Sequence, residues 1–137
     1  MTTKEYLSQI QRMNDTIKNK IAEIEQLKAI ATNATVKSNG ERVQSSGDKD
    51  KIGSAVADIV DTENELRTVI AKRRAIIKQI ESIQNSDYYN ILTKRYVLGK
   101  FFKEISADQH KTVRHVGRIH DKALREFEKM YGYLYNR

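Results

Sequence analysis

The chain has 137 residues, with 25 Lys and Arg against 18 Asp and Glu, so its net charge is +7. It has no Cys, no Pro and only 6 Gly. This excludes a disulfide framework, a Cys-based zinc site and a Cys nucleophile, and argues against a turn-rich β-sandwich or barrel. No apolar run approaches the ~18 residues of a membrane span. The opening Met1-Thr2-Thr3-Lys4-Glu5-Tyr6 leads straight into a polar pattern, which predicts no signal peptide. The expectation is an intracellular, all-α protein with surplus positive charge.

Residues 4–31 read as one helix. Tyr6, Ile10, Met13, Ile17, Ile24, Leu27 and Ala31 recur in alternating steps of four and three, with Lys20 as the one polar member. Residues 32–50 break that rhythm. Asn33, Ser38, Asn39, Gly40, Ser45, Ser46, Gly47 and Asp48 are turn formers, so a long polar loop is predicted there. Residues 51–84 read as a second long helix with two apolar lines. One is Ile52, Val56, Ile59, Leu66, Ile70, Ile77 and Ile80; beside it run Ala55, Val69, Ile76 and Ile83. Two lines make a stripe wider than a two-stranded seam needs. The expected arrangement is an antiparallel, coiled-coil-like hairpin over 1–84 with apolar surface to spare at Ile70, Ile77 and Ile80. That surplus predicts a homodimer or higher homo-oligomer.

Asn85-Ser86-Asp87 stops the second helix and can cap a third. Tyr88, Ile91, Leu92, Tyr96 and Val97 surround a helix over 87–98, and Gly99 sits where a left-handed cap would end it. A short helix over about 101–107 and a longer one over about 112–130 follow. In the longer helix Val116, Ile119, Ala123 and Phe127 share one side. Charge is uneven along the chain. Residues 1–50 hold 8 basic and 7 acidic groups, 51–86 hold 6 and 5, and 87–137 hold 11 and 6. The excess therefore sits in the last third, as in a polyanion-binding module. Charge alone fits a solvated basic face equally well.

Three helices with a tight turn before the last describe a helix-turn-helix. Leu92-Thr93-Lys94-Arg95-Tyr96-Val97-Leu98-Gly99 resembles the opening of sigma-factor region 4. Glu104-Ile105-Ser106 stands where that family has Glu-Ile-Ala. Thr112-Val113-Arg114-His115-Val116 matches its recognition-helix start, and Arg118 to Leu124 its Arg-x-x-x-Lys/Arg-Ala-Leu ending. Two positions depart from the pattern: Gln109-His110 replace an apolar residue and Gly in the turn, and Phe101 replaces Ser or Thr at the N-cap. The whole chain resembles small phage and prophage proteins of Gram-positive bacteria. These join a helical hairpin to a region-4-like C-terminus, and their relatives are late-gene regulators of the ArpU and RinA type. Lys4-Glu5-Tyr6-Leu7, Arg42-Val43-Gln44-Ser45-Ser46-Gly47 and Ile59-Val60-Asp61 carry that likeness. It implies a transcription regulator, an activator of late genes, working in the cytoplasm of the bacterial host near a promoter and in contact with RNA polymerase.

On the last helix, Arg114 and Arg118 oppose the apolar side and are the candidate base readers, because Arg pairs bidentately with guanine. Lys111, Lys122 and Arg125 are candidate phosphate contacts. His115 fits a phosphate contact, while Thr112, Val113 and Gly117 complete the DNA-facing start of the helix. Gly117 fits either close approach to DNA or simple tolerance. His110, His115 and His120 are five apart and do not converge as metal ligands, and His120 falls on the inward side. No catalytic constellation, cofactor motif or metal cluster is legible, so no enzyme is expected. Tyr88, Tyr89, Tyr96, Tyr131, Tyr133 and Tyr135 fit internal packing better than stacking on single-stranded bases. The resulting domains are 1–84 for self-association or partner binding and 87–137 for double-stranded DNA. A fragment of 87–137 is expected to keep weak binding. Two other readings remain: a small terminase subunit for DNA packaging, and an interaction protein such as an antirepressor.

Overall fold

A computed structural model describes the backbone of residues 1–40 and 46–136 and the side chains of 1–33 and 50–136. Every regular element among them is helical: α1 (Thr3–Gly40), α2 (Ser46–Glu81), α3 (Ser86–Leu92), α4 (Phe102–Gln109) and α5 (Val113–Tyr131). A π-helical turn, Thr93–Val97, extends α3, and a 3₁₀ turn, Gly132–Leu134, follows α5. The expected loop over 32–50 is corrected, because α1 continues to Gly40 and α2 already starts at Ser46. Ser and Asn are weak helix formers rather than breakers, and no Pro intervenes to stop either helix. Residues 41–45 lie outside the described part, and with them Arg42, Val43, Gln44 and Ser45 of the family-like segment.

The chain divides into two compact units: Met1–Asn14 with Lys72–Arg137, and Asp15–Ala71. The expected boundary between 84 and 87 is not where the packing divides. The first unit has one core, and Leu7 and Ile10 from α1 and Ile76 and Ile80 from α2 are as buried in it as Ile91, Leu92, Ile105, Val116 and Phe127. The last third therefore depends on both long helices to cover it. Leu7 lies beside the four-three line and is fully buried, because this end of α1 is enclosed on more than one side. Tyr6 stacks on Tyr135 at 4.4 Å between ring centroids, and Phe127 packs against both. Thr3 Oγ1 and the Tyr135 hydroxyl share a hydrogen bond of 2.8 Å.

α1 and α2 run antiparallel in each unit. In the first, the Tyr6 hydroxyl donates to Gln79 Oε1 at 2.8 Å and Arg73 Nε donates to Asn14 Oδ1 at 2.6 Å. In the second, Lys20 Nζ meets Glu65 Oε2 at 2.7 Å. The surplus apolar surface expected on α2 is redistributed. Ile80 is fully buried and Ile77 packs on the core of the first unit, while Ile70 stays 44% exposed. Within Asp15–Ala71 the α2 seam is formed by Ala55 and Thr62, not by Val56 and Ile70.

The short helices begin and end where the local chemistry dictates. Asn85 Oδ1 accepts from the Asp87 and Tyr88 amides and starts α3. Gly99 has φ +70° and closes the π turn. Phe101 has no side-chain acceptor, but Glu104 Oε1 accepts from its amide at 3.2 Å, half of a capping box. His110 adopts φ 55°, the left-handed conformation that stops α4. Thr112 Oγ1 accepts from the His115 amide at 3.1 Å and starts α5.

Candidate nucleic-acid interface

The three residues between α4 and α5 are held from inside. The Lys111 amide donates to the Ser106 carbonyl at 3.1 Å, and Ser106 Oγ donates back to the Lys111 carbonyl. This fixes how α5 leaves the turn. α5 packs most extensively on α3 and next on α4. Its inward side is Val116, His120, Ala123 and Phe127, all at 2% exposure or less. At ~100° per residue, Arg114, Arg118 and Arg125 fall close together on the opposite side, and all three are exposed. Lys122 and His115 are exposed on one flank. No hydrogen bond or ion pair to another described residue holds Arg114, Arg118, Lys122 or Arg125. Four full charges thus stand in solvent on one face of a helix.

The other candidates divide. Val113 is 48% exposed on the first turn. Gly117 is half-buried, and a Cβ built there meets nothing within 4 Å, so internal packing does not require glycine. The Thr112 oxygen is engaged in capping, which leaves its proton as a donor. Lys111 is half-buried, with Nζ 3.9 Å from Asp87 Oδ1. Asp121 stands among the cations, with Oδ1 3.7 Å from His120 Nδ1. It is the one acid between Arg114 and Arg125.

Neighbouring cations are engaged elsewhere. Lys100 Nζ donates to Asp108 Oδ2 at 2.8 Å. That bond raises the Lys100 pKa and lowers that of Asp108. The Arg95 guanidinium donates to the Lys100 carbonyl at 3.1 Å and lies 5.9 and 5.6 Å from the Phe101 and Phe102 rings. The +5 of the last third therefore overstates the charge available to a ligand.

His120 is structural, as its place in the pattern implied. Nε2 and the Tyr96 hydroxyl share a 2.8 Å hydrogen bond, and Phe102 meets the imidazole edge-on. Burial lowers the His120 pKa, and the nearby Lys4 charge lowers it further, against an opposing pull from Asp121. Burial also pushes the Tyr96 hydroxyl up to about 12, with Arg95 drawing it back. Of the six tyrosines in the last third, Tyr96 and Tyr135 are buried and Tyr131 packs on Phe127 at 5.2 Å, while Tyr133 is 71% exposed. Sequence reasoning missed Gln11. Its Nε2 donates to the Tyr96 and Val97 carbonyls at 2.9 and 3.0 Å. These acceptors lie 85 and 86 residues away, and no local pattern announces such a pair.

Among the described residues there is no group of three or more His, Cys, Asp or Glu able to hold a metal ion, and no helix long and apolar enough to cross a membrane. The chain matches no protein-family model, no curated protein and no solved structure.

Proposed function

We propose that the protein is a sequence-specific regulator of transcription that binds double-stranded DNA, with α4, the turn at His110 and α5 acting as a helix-turn-helix. One observation carries this reading: Arg114, Arg118, Lys122 and Arg125 are exposed on one face of α5, without internal partners, opposite a fully buried side. A helix held rigidly from behind, with Arg at its leading turns, suits major-groove insertion. The left-handed His110 and the Thr112 cap give the short connection that such a motif needs. In this reading Arg114 and Arg118 reach base edges, and Lys111, Lys122, Arg125 and His115 hold phosphates. Gly117 brings the backbone close to the DNA. The resemblance to region 4 and to phage late-gene regulators adds activation near a promoter, with RNA polymerase as a protein partner.

The test is selection from a random duplex library, followed by anisotropy titration on the enriched site and on random DNA. Arg114→Ala and Arg118→Ala should each cost about 1–3 kcal/mol on the enriched site and little on random DNA. Lys122→Ala should weaken both alike. With those four phosphate contacts, log Kobs should fall against log salt with a slope of about −3 to −4. No enrichment and no binding to random duplex at low salt would refute the reading.

A further inference from the structure

Within Asp15–Ala71, α1 and α2 leave an open face on each side of their seam, and helical register sorts the residues between them. Ala55 and Thr62 fix the inward direction of α2, and Ile24 that of α1. At ~100° per residue, Val56, Val60 and Ile70 lie within about 80° of one another, all turned to the same side of that seam. Because winding sense reverses between antiparallel helices, Ile21 on α1 turns to this same face. These four are 44–50% exposed, and half-buried Ile17 and Ile59 border them. The opposite face carries Ser54, Asp58, Asp61, Glu65 and Glu23, with Ile30, 46% exposed, as its one exposed large apolar side chain among the described residues. Four of the five exposed large apolar side chains described in this unit therefore share one face.

Two helices alone cannot bury this apolar face. The only described residues of the unit under 9% exposed are Ile24, Ala55 and Thr62. Over residues 52–71 the face is about 30 Å long, and two helices packed 8–10 Å apart make it about 20 Å wide. That is roughly 600 Å², approaching the ~800 Å² per partner of a specific interface. A single partner helix, about 10 Å across, would cover only half of it. A second pair of helices matches its width. The charges on the face also suit self-association. Glu63 lies within the apolar strip, and Lys18, Glu25, Lys28 and Arg67 border it, so both signs are present although the chain as a whole is +7.

We propose that two copies of the chain meet through Ile21, Val56, Val60 and Ile70, closing two helix pairs into a four-helix layer. The inference is independent of DNA binding, and its test uses no nucleic acid. The full-length chain should sediment at twice its 15.9 kDa mass in the high micromolar range. Val56→Glu with Val60→Glu should weaken self-association by more than about tenfold and leave far-UV circular dichroism unchanged, since both positions are half-exposed. A second measurement does not depend on how that variant folds. The chain has no Cys, so Val60→Cys is a unique thiol. It should react with maleimide more slowly as concentration rises, whereas Asp61→Cys on the opposite face should react at one rate throughout. A monomer at high micromolar concentration, a folded double Glu variant that still dimerises, or a Val60→Cys thiol indifferent to concentration would each overturn the proposal.

Discussion

Replacing Gly99 by Ala should destabilise the protein by about 1–5 kcal/mol, and the two parts of that cost can be separated. Gly99 has φ +70°, and an L-residue in the left-handed region costs about 1–2 kcal/mol. The added Cβ would also stand 3.0 Å from Gln11 Oε1 and 3.2 Å from its Cδ. The amide must then give by a few tenths of an ångström, which strains its bonds to the Tyr96 and Val97 carbonyls. At about 0.5–1.5 kcal/mol each, those bonds are together worth about 1–3 kcal/mol, the most this second part can reach. Gln11→Ala alone should cost that maximum. In the Gln11→Ala background the clash is gone, so Gly99→Ala should cost only the backbone part, about 1–2 kcal/mol. Urea unfolding followed by circular dichroism measures all four corners of the cycle, with an unchanged m-value as the check on two-state behaviour. A loss under about 0.5 kcal/mol for Gly99→Ala, or the same loss in both backgrounds, would refute the clamp between α1 and the π turn.

Gly117→Ala should stabilise α5 by about 0.5–1 kcal/mol, since the new methyl group meets nothing; on the proposed reading the same change lowers DNA affinity, and unchanged affinity would return Gly117 to simple tolerance. His120 holds a lowered pKa when folded, so below its ordinary value of 6.5 the unfolded chain binds the proton first. Stability should be intact above about pH 6.5 and fall as pH drops through that value. His120→Asn should flatten the dependence of the urea midpoint on pH, and a wild-type midpoint level down to about pH 5 would contradict the burial argument. The fragment 87–137 lacks Leu7, Ile10, Ile76, Ile80 and Ile83 of the shared core; contrary to the expectation that it keeps weak DNA binding, it should be largely unfolded by circular dichroism, whereas a cooperative thermal transition would show that the last third can close its own core.

The parts of the fold visible in the sequence were those set by local chemistry. Asn85, Gly99 and Thr112 act through their own conformations or through amides two or three residues away, so each boundary they set could be read in place. The inward side of α5 was equally plain, because Val116, Ala123 and Phe127 repeat at helical spacing against charged neighbours. The exposed Arg114, Arg118 and Arg125 followed from that side by geometry alone. Gln11 was hidden for the opposite reason, since its amide acts only on carbonyls brought to it by the tertiary fold. The compact unit joining Met1–Asn14 to Lys72–Arg137 was hidden likewise. A continuous helix shows no break in its own pattern at the point where it passes from one core to another.

The register of α2 shows why apolar spacing alone misplaced a seam. Counting large apolar residues puts Val56 and Ile70 in the contact line and leaves Ala55 beside it. The structure buries Ala55 at 4% and Thr62 at 5% and leaves Val56 and Ile70 half in water. Small side chains let two helix axes come close, and the separation of packed helices depends on what lies at the contact. With Ala55 and Thr62 innermost, half-buried Ile59, Leu66 and Val69 flank the seam, and Val56 and Ile70 are turned outward by about 60–100°. A line of large residues on a long helix therefore marks where burial is needed, but not by which neighbour. Here the intrachain neighbour takes the small residues most deeply and half-buries Ile59 and Leu66, and Val56, Val60 and Ile70 are left for a surface outside the pair.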